Sequence, residues 1–244
     1  MGAMVTIPEP ADIETSSEEY AKRFAGDVGK WFLQIQEEAT LKLLSPYRNA
    51  TILDVGGGHG QLTKPLLDSG FKVTIFGSTS ACATRILHLR DGKSCQFTTG
   101  NLLTLPFIDR AFDVVISYRL LPHVTNWEQL LSEMCRVAKT SVIVDYPETH
   151  SINYLIPWLF NLKKQIEKNT RQFRCFKNYE LLEKFESHGF ALSERIPEFF
   201  LPMVLHRTMK AATLSNVLER AFCRMGLTAR WGSPVILKLV RKGF

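Results

Sequence analysis

The most informative stretch of the sequence is Thr51-Ile-Leu-Asp-Val-Gly-Gly-Gly-His-Gly60. Its first half is a short apolar, β-branched run, which is typical of a buried strand. Its second half is rich in glycine, which lets the backbone turn tightly and approach a ligand closely. A helix is predicted to follow as far as about Asp68, so the loop leads into a helix N-terminus, where free N–H groups favour an anionic group. The stretch therefore predicts a strand–loop–helix unit that binds a ligand.

Strands and helices alternate around this unit. Further strands are predicted at Phe71–Phe76, Gln96–Thr99, Phe112–Ser117, Ser141–Asp145, Ala191–Ile196 and Val235–Val240. Helices are predicted from Ser16 to Gly26, from Asp27 to Leu44, and over Ser80–Leu89, Asn126–Val137 and Thr213–Met225. Because the strands are unbroken apolar runs, we expect an α/β fold with a mostly parallel sheet covered on both faces.

Composition excludes several classes of protein. Of the 244 residues, 45% are hydrophobic and 22% are charged, which is ordinary for a globular domain and argues against disorder. No apolar run approaches the ~20 residues needed to cross a bilayer, and the N-terminus does not have the pattern of a signal peptide. The five cysteines lie too far apart for a CxxC motif, so we expect no metal site and a reducing, cytoplasmic setting.

Charge is distributed unevenly along the chain. Residues 1–150 carry 14 Lys and Arg against 17 Asp and Glu, whereas residues 151–244 carry 16 against 7. The densest basic stretch is Lys163–Lys177. Such a stretch is either a solvated helix face or a contact for an anionic partner, namely nucleic acid or a membrane surface.

The glycine loop resembles a known motif. Its pattern is Asp-x-Gly-x-Gly-x-Gly, and neither frame of the dinucleotide pattern G-x-G-x-x-G fits, because the sixth position is Gln61 or Thr63. This resembles motif I of class I S-adenosylmethionine (SAM) methyltransferases. Gly100–Phe107 and Phe112–Ser117 resemble the family's segments beside the adenine and the sulfonium. The resemblance is closest to the ubiquinone/menaquinone methyltransferase-like group, and it implies a Rossmann-like, doubly wound sheet of seven strands.

The resemblance also implies a cofactor, SAM, with S-adenosylhomocysteine (SAH) as its product. The residues it assigns to the cofactor are Asp54, Gly56, Gly57, Gly58, Gly60, Gly77, Ser78, Thr79, Asn101, Leu102, Ser117 and Tyr118. Two positions depart from the family, because Gly77 stands where an acidic residue usually binds the ribose and Asn101 stands where Asp is common. Neutral hydroxyls near Gly77 are then expected to replace the carboxylate, and the affinity for SAM is expected to fall because neutral hydrogen bonds are weaker than charge-assisted ones.

A different cofactor is the alternative interpretation of the same departure. A Ser/Thr cluster with Arg85 nearby would suit the 2′-phosphate of NADP. The glycine spacing argues against it.

Candidate catalytic and substrate residues follow the predicted strands. His123 follows the fourth strand and Tyr146 the fifth, and both are proposed to act on the acceptor. The residues assigned to the substrate are Tyr20, Arg119, Trp158, His206 and Arg207. The aromatic segment after the fifth strand is expected to form a lid, and an apolar lid suits a hydrophobic acceptor.

The predicted function is in-line methyl transfer from SAM to a small, hydrophobic acceptor, with a possible peripheral contact to an anionic membrane surface. The alternatives are a methyltransferase-like protein that binds a ligand or partner without turnover, and an RNA methyltransferase, although no nucleic-acid-binding module accompanies the basic C-terminal half. We expect one domain over 1–244. Its parts are N-terminal helices (1–47), a SAM-binding core (48–146), the lid insertion (147–188) and C-terminal strands and helix (189–244).

Overall fold

A computed structural model describes residues 11–89, 93–152 and 173–243. Its strands are β1 (Thr51–Val55), β2 (Lys72–Gly77), β3 (Cys95–Thr99), β4 (Phe112–Ser117), β5 (Ala138–Tyr146), β6 (Phe190–Pro197) and β7 (Val235–Arg241). They form one seven-stranded sheet in the order β3-β2-β1-β4-β5-β7-β6. The first five strands pair in parallel, and β7 lies antiparallel between β5 and β6. The predicted Rossmann-like, mostly parallel sheet is thereby confirmed.

Helices cover both faces of the sheet. They are α1 (Ala11–Thr15), α2 (Glu18–Lys22), α3 (Gly26–Leu44), α4 (Thr63–Asp68), α5 (Trp127–Val137), α6 (Asn178–Ser187), α7 (Met203–Met209), α8 (Ala212–Arg224) and α9 (Leu227–Trp231). Among the described residues, no helix is both long and apolar enough to cross a bilayer.

The strand sequences explain the layered core. Successive side chains of a strand point to opposite faces, so an unbroken apolar strand needs cover on both. In β1, Leu53 and Val55 join one hydrophobic cluster, while Ile52 joins the other, and all three are fully buried. Because β1 to β5 are parallel, their carboxyl ends and the loops that follow them meet at one edge of the sheet.

The prediction of a helix at Ser80–Leu89 is wrong. The structure has two short 3-10 turns there, Ser80–Ala83 and Leu87–Leu89. The Thr84 hydroxyl donates to the Ala81 carbonyl at 2.8 Å, and such local side-chain hydrogen bonds compete with α-helix. The sequence prediction also missed α1, since it treated the chain as polar and irregular up to Thr15.

The predicted lid falls largely on residues outside the described ranges, including Trp158. The described part of that insertion is the chain at residues 147–152 and 173–188. Glu148 and Phe176 form a β-bridge there, and α6 packs its buried Leu181 and Phe185 into the core beside α5.

Candidate active site

The glycine loop turns sharply at the end of β1. Gly56 and Gly60 have φ of 76° and 77°, a left-handed conformation that side chains disfavour. The Gly56 N–H donates to the Phe76 carbonyl at 2.8 Å, which ties the loop to the end of β2. A Cβ at Gly58 would lie 2.3 Å from the Cys82 carbonyl oxygen, so only glycine fits this cradle.

Asp54 stands under the loop. Its side chain is buried, and a Cβ at Gly57 would lie 2.1 Å from its Oδ2. Burial raises the pKa of Asp54 to about 7, against the attraction of the nearby Arg119 guanidinium. A nearby cation stabilises the ionised form of a buried carboxyl, so Asp54 is suited to bind the ammonium group of a ligand.

The carboxylate of Asp12 in α1 contacts the chain just after the end of β2. The Ser78 N–H donates to Asp12 Oδ2 at 2.6 Å, and the Cys82 thiol donates to the same oxygen at 3.3 Å. Thr79 Oγ1 lies 3.8 Å from the Cys82 sulfur, so its hydroxyl faces this thiol. Sequence reasoning missed Asp12, because nothing local to β2 signals a contact from the N-terminal helix.

The predicted adenine segment forms a side-chain-capped turn. Asn101 Oδ1 accepts a hydrogen bond from the Leu103 N–H at 2.9 Å, and Leu102 is fully buried. At the end of β4, the Ser117 hydroxyl donates to the Val55 carbonyl at 2.8 Å. Ser117 therefore fixes the end of β4 against β1, next to the glycine loop.

The side chain of Tyr118 contacts helix α3. Its hydroxyl is 2.6 Å from the Thr40 hydroxyl of α3, and burial raises its pKa. That Tyr118 binds the cofactor stays a prediction.

Arg119 connects the glycine loop with the end of β5. It has φ of 59°, which is uncommon for a residue other than glycine and often marks a functional position. Its N–H donates to Asp145 Oδ1 at 2.6 Å, and its guanidinium donates to Gln61 Oε1 and lies 3.5 Å from His59 Nδ1. Burial, together with the cationic Arg119 and Arg85, lowers the pKa of His59 to about 3, so this imidazole is neutral.

Two acidic side chains, those of Asp145 and Glu198, lie near Arg119 at this edge of the sheet. Asp145 Oδ2 accepts from the Gln36 amide at 3.2 Å, and burial raises the pKa of Asp145 to about 6. Glu198 follows β6, which runs in the same direction as β5, so both acids lie at the same edge. Burial and the negative charge of Asp145 raise the pKa of Glu198 well above its usual value, and its Oε1 has no partner among the described residues. Sequence reasoning missed Gln36 and Glu198.

Aromatic rings from the N-terminal helices close one side of the site. The Phe24 ring lies 5.8 Å from the Tyr20 ring and 5.7 Å from the His59 ring, centroid to centroid. Arg119 and Arg207 place their guanidinium carbons 4.8 and 5.9 Å from the Phe24 centroid. The structure thus brings together three of the predicted substrate residues, Tyr20, Arg119 and Arg207.

Two other predicted residues have structural contacts instead. The Tyr146 hydroxyl lies 3.0 Å from both Glu148 Oε2 and Asn178 Oδ1, and the side chain is fully buried on the opposite face from Asp145. His206 is also fully buried, with its Nε2 2.9 Å from Glu219 Oε1. Tyr146 is therefore a core residue in this structure. The second ring nitrogen of His206, Nδ1, is buried and has no hydrogen-bond partner among the described residues, so the assignment of His206 to the substrate stays a prediction.

His123 is half-buried at the end of a 3-10 turn, with its ring 5.6 Å from the ring of Phe173. Phe173 borders the part of the insertion that is not described. The role of His123 therefore stays a prediction.

The site fits an adenosine-containing, amino-acid-bearing cofactor such as SAM. Several buried polar atoms around the glycine loop and the end of β2 have no hydrogen-bond partner among the described residues, including Asp12 Oδ1, Ser16 Oγ, His59 Nε2 and Ser78 Oγ. Orphaned buried groups of this kind are costly unless a ligand or water satisfies them. Within the described ranges, no cluster of His, Cys, Asp and Glu is arranged to hold a metal ion.

Comparison with known proteins agrees with this geometry. Residues 53–144 match the methyltransferase domain family. An uncharacterized protein of Methanocaldococcus jannaschii is 27% identical over 76% of this chain and 75% of its own length. The ubiquinone/menaquinone biosynthesis C-methyltransferase UbiE of Hahella chejuensis is 33% identical over 37% of this chain, and the match spans only 39% of that enzyme.

Solved structures show the same fold. Magnesium protoporphyrin IX methyltransferase of Synechocystis, with SAH bound, superposes with a TM-score of 0.64 at 17% identity, over 93% of this chain and 96% of that one.

Proposed function

We propose that the protein is a SAM-dependent methyltransferase that methylates a small, largely apolar molecule at an atom that carries a proton. Its residues 53–144 match the methyltransferase domain family, and UbiE of Hahella chejuensis is similar to part of the chain. The observation that carries the proposal is the pair of acids Asp145 and Glu198 at the carboxyl ends of β5 and β6. An acceptor that gives up a proton needs a base, and a buried carboxyl with a raised pKa is suited to that work.

SAM supplies an electrophilic methyl group when it is bound. The glycine loop and the end of β2 would hold it, with Asp54 placed to meet its ammonium group. The main task left to the protein is to position the acceptor and exclude water, because much of the rate of such a displacement comes from geometry. Phe24 and Tyr20 provide the apolar wall for this purpose.

The base that we assign is Glu198. Its Oε1 is buried without a hydrogen-bond partner among the described residues, so it is available to take the acceptor's proton. The negative charge of Asp145 raises the pKa of Glu198, which increases its affinity for a proton. The positive charge of Arg119 lowers the pKa of Glu198. We assign to the same guanidinium the stabilisation of an anion that develops on the acceptor.

These features favour a ring hydroxyl or a similar weakly acidic group as the acceptor. The apolar wall accepts a ring, and the cationic Arg119 and Arg207 on the Phe24 ring favour its deprotonated form. The relative from Hahella chejuensis is named for ubiquinone and menaquinone biosynthesis, which agrees with an apolar ring as the acceptor, although its name gives carbon as the methylated atom.

The test follows the fate of methyl-labelled SAM in a cell extract. We expect the native protein to label a small molecule that partitions into organic solvent. We also expect Glu198→Gln to bind SAH normally while losing most of the transfer. Label in acid-precipitable RNA or protein would overturn the proposed acceptor class. SAH binding without any transfer would support a protein that binds ligands without turnover.

A further inference from the structure

The N-terminal helix α1 carries a carboxylate into the site from a distant part of the sequence. Asp12 is fully buried, and its Oδ2 accepts from the Ser78 N–H at 2.6 Å just beyond the end of β2. In nucleotide-binding α/β sheets, an acid at the end of the second strand accepts hydrogen bonds from ribose hydroxyls. Strand β2 ends in Gly77, which has no side chain to do this.

The packing around Gly77 explains why the acid comes from elsewhere. A Cβ at Gly77 would lie 2.9 Å from Cys82 Cβ, 3.1 Å from Phe97 Cζ and 3.3 Å from Asp12 Oδ2. A side chain at position 77 would therefore collide with its neighbours. The Asp12 carboxylate already borders the space that such a side chain would enter.

The second oxygen of Asp12 points to a ligand. Among the residues that the structure describes, its buried Oδ1 has no hydrogen-bond partner and Asp12 forms no ion pair. An unpaired buried carboxylate is costly, and it is stabilised when donors reach it. The Ser78 and Ser16 hydroxyls beside it are also buried without partners, so this corner of the site is polar and unsatisfied.

We propose that Asp12 is the ribose-binding acid of this protein and that α1 closes over the adenosine part of the cofactor. The two ribose hydroxyls would donate to the carboxylate, while Oδ2 keeps its bond to the Ser78 N–H. The neutral hydroxyls of Ser78 and Thr79, which the sequence suggested as the replacement for the missing acid, then have a supporting role.

The alternative role for α1 is a plug that merely fills the cleft. Ser16 of the α1–α2 connection lies against the glycine loop, since a Cβ at Gly58 would be 2.3 Å from its Oγ. A plug competes with the cofactor, whereas a ribose-binding acid attracts it. The two roles therefore predict opposite effects of a change at Asp12.

The experiment measures the affinity for SAH by calorimetry, with no acceptor present. The probes are SAH and its analogue without the 2′- and 3′-hydroxyls, and the proteins are native, Asp12→Asn and Glu14→Gln. The Asp12→Asn change retains a side-chain oxygen for the Ser78 N–H, so the helix keeps its main anchor. Glu14 lies on the same helix as Asp12 and pairs with Arg23 at 3.4 Å, so its variant reports any general loosening of α1.

We expect Asp12→Asn to bind SAH about 10- to 100-fold more weakly, as for the loss of charge-assisted hydrogen bonds. The affinity of the native protein for the analogue should be lower than its affinity for SAH by a similar factor. Native protein and Asp12→Asn should bind the analogue with equal affinity. Glu14→Gln should bind SAH like the native protein.

Equal or tighter SAH binding by Asp12→Asn would overturn the proposal. So would a native protein that binds SAH and its analogue equally, a result that does not depend on how any variant folds. Failure of the native protein to bind SAH at all would overturn the cofactor assignment itself. None of these readouts depends on which acceptor is methylated.

Discussion

Asp145 and Tyr146 are neighbours in β5, yet their side chains enter different environments. Asp145 Oδ1 accepts from the Arg119 N–H at 2.6 Å in the site, whereas the Tyr146 hydroxyl donates to Glu148 Oε2 at 3.0 Å within the core. The alternation of a strand causes this difference. Asp145 therefore faces the candidate site, and Tyr146 faces the core.

Tyr146→Phe tests that assignment. The change removes a buried hydroxyl and leaves the groups that contact it unsatisfied, so we expect the free energy of unfolding to fall by about 1–3 kcal/mol. The rate of methyl transfer should stay within about twofold of the native value. Asp145→Asn, the matched change on the other face, should lower the rate by about tenfold or more while SAH affinity is retained. A rate loss from Tyr146→Phe at normal SAH binding would restore the tyrosine as a catalytic candidate.

Glu198→Gln tests the base through pH. The pKa of Glu198 is raised above 4.5, so the native group becomes a competent base only as the pH rises through that higher value. The transfer rate of the native protein should increase over this range, and that of the variant should be flat and about 10²- to 10⁴-fold lower. Glu194→Gln is the control, because Glu194 pairs with Lys238 at 3.3 Å on β6 outside the site. A variant that keeps the native pH profile would exclude Glu198 as the base.

Asp54→Asn separates stability from binding. The pKa of Asp54 is about 7 in the folded protein, whereas its ordinary value is 3.8, so the native state binds this proton more tightly than the unfolded state. The stabilising effect of that proton is complete below pH 4 and is lost as the pH rises through about 7.

The variant cannot ionise at this position, so we expect it to match the native protein near pH 4. At pH 8 it should be more stable than the native protein by up to about 4 kcal/mol. SAH binding should fall at least tenfold, because the partner of the ammonium group is gone. Denaturant unfolding at the two pH values checks the first result and calorimetry the second. If Asp54→Asn were less stable than the native protein at pH 8, burial could not be what raises the pKa of Asp54.

The sequence predicted the features that depend on neighbouring residues. The apolar run that ends at Val55 and the glycines after it determine a strand and a loop locally, and both are found. The acids that complete the site depend on distant contacts. Asp12 reaches Ser78 across 66 positions, and Gln36 reaches Asp145 across 109, so no local pattern reveals either pairing.

Some local information was available and was interpreted incorrectly. The period of two along β5 implies that Asp145 and Tyr146 face opposite sides, although it does not say which side is the site. The composition of Ser80–Leu89 suits a helix, but the buried Cys82 and Ile86 fix two tight turns against the glycine loop instead. Tertiary packing outweighed helix propensity there.

Gly58→Val tests the cradle. A Cβ at this position would lie 2.3 Å from both the Cys82 carbonyl oxygen and Ser16 Oγ, so the loop must move away from its ligand-binding shape. We expect SAH affinity to fall about 100-fold or more while the circular dichroism spectrum remains native. The control is Gly189→Ala, where φ is 77° and no atom lies within 4 Å. It should cost about 1 kcal/mol of stability through backbone strain and leave SAH binding unchanged. Equal SAH binding by Gly58→Val and native protein would show that the cofactor does not use this loop.

Glu219→Gln tests the support behind the acceptor side. Glu219 is buried in α8, where its Oε2 accepts from the Phe200 N–H and its Oε1 accepts from the Leu201 N–H, both at 2.8 Å. The same Oε1 lies 2.9 Å from His206 Nε2. An amide nitrogen in place of one oxygen would face an N–H donor, so at least one of these bonds is lost.

We expect Glu219→Gln to lower the free energy of unfolding by about 2–4 kcal/mol, which for a chain of this length is a fall in Tm of roughly 5–15 °C. Because the loop that Glu219 holds begins beside Glu198, the transfer rate should fall as well, while SAH affinity should not change. Glu186→Gln on the exposed face of α6 is the control and should shift stability by no more than about 0.5 kcal/mol. If Glu219→Gln melted like the native protein, the loop after β6 would have to be held by other contacts.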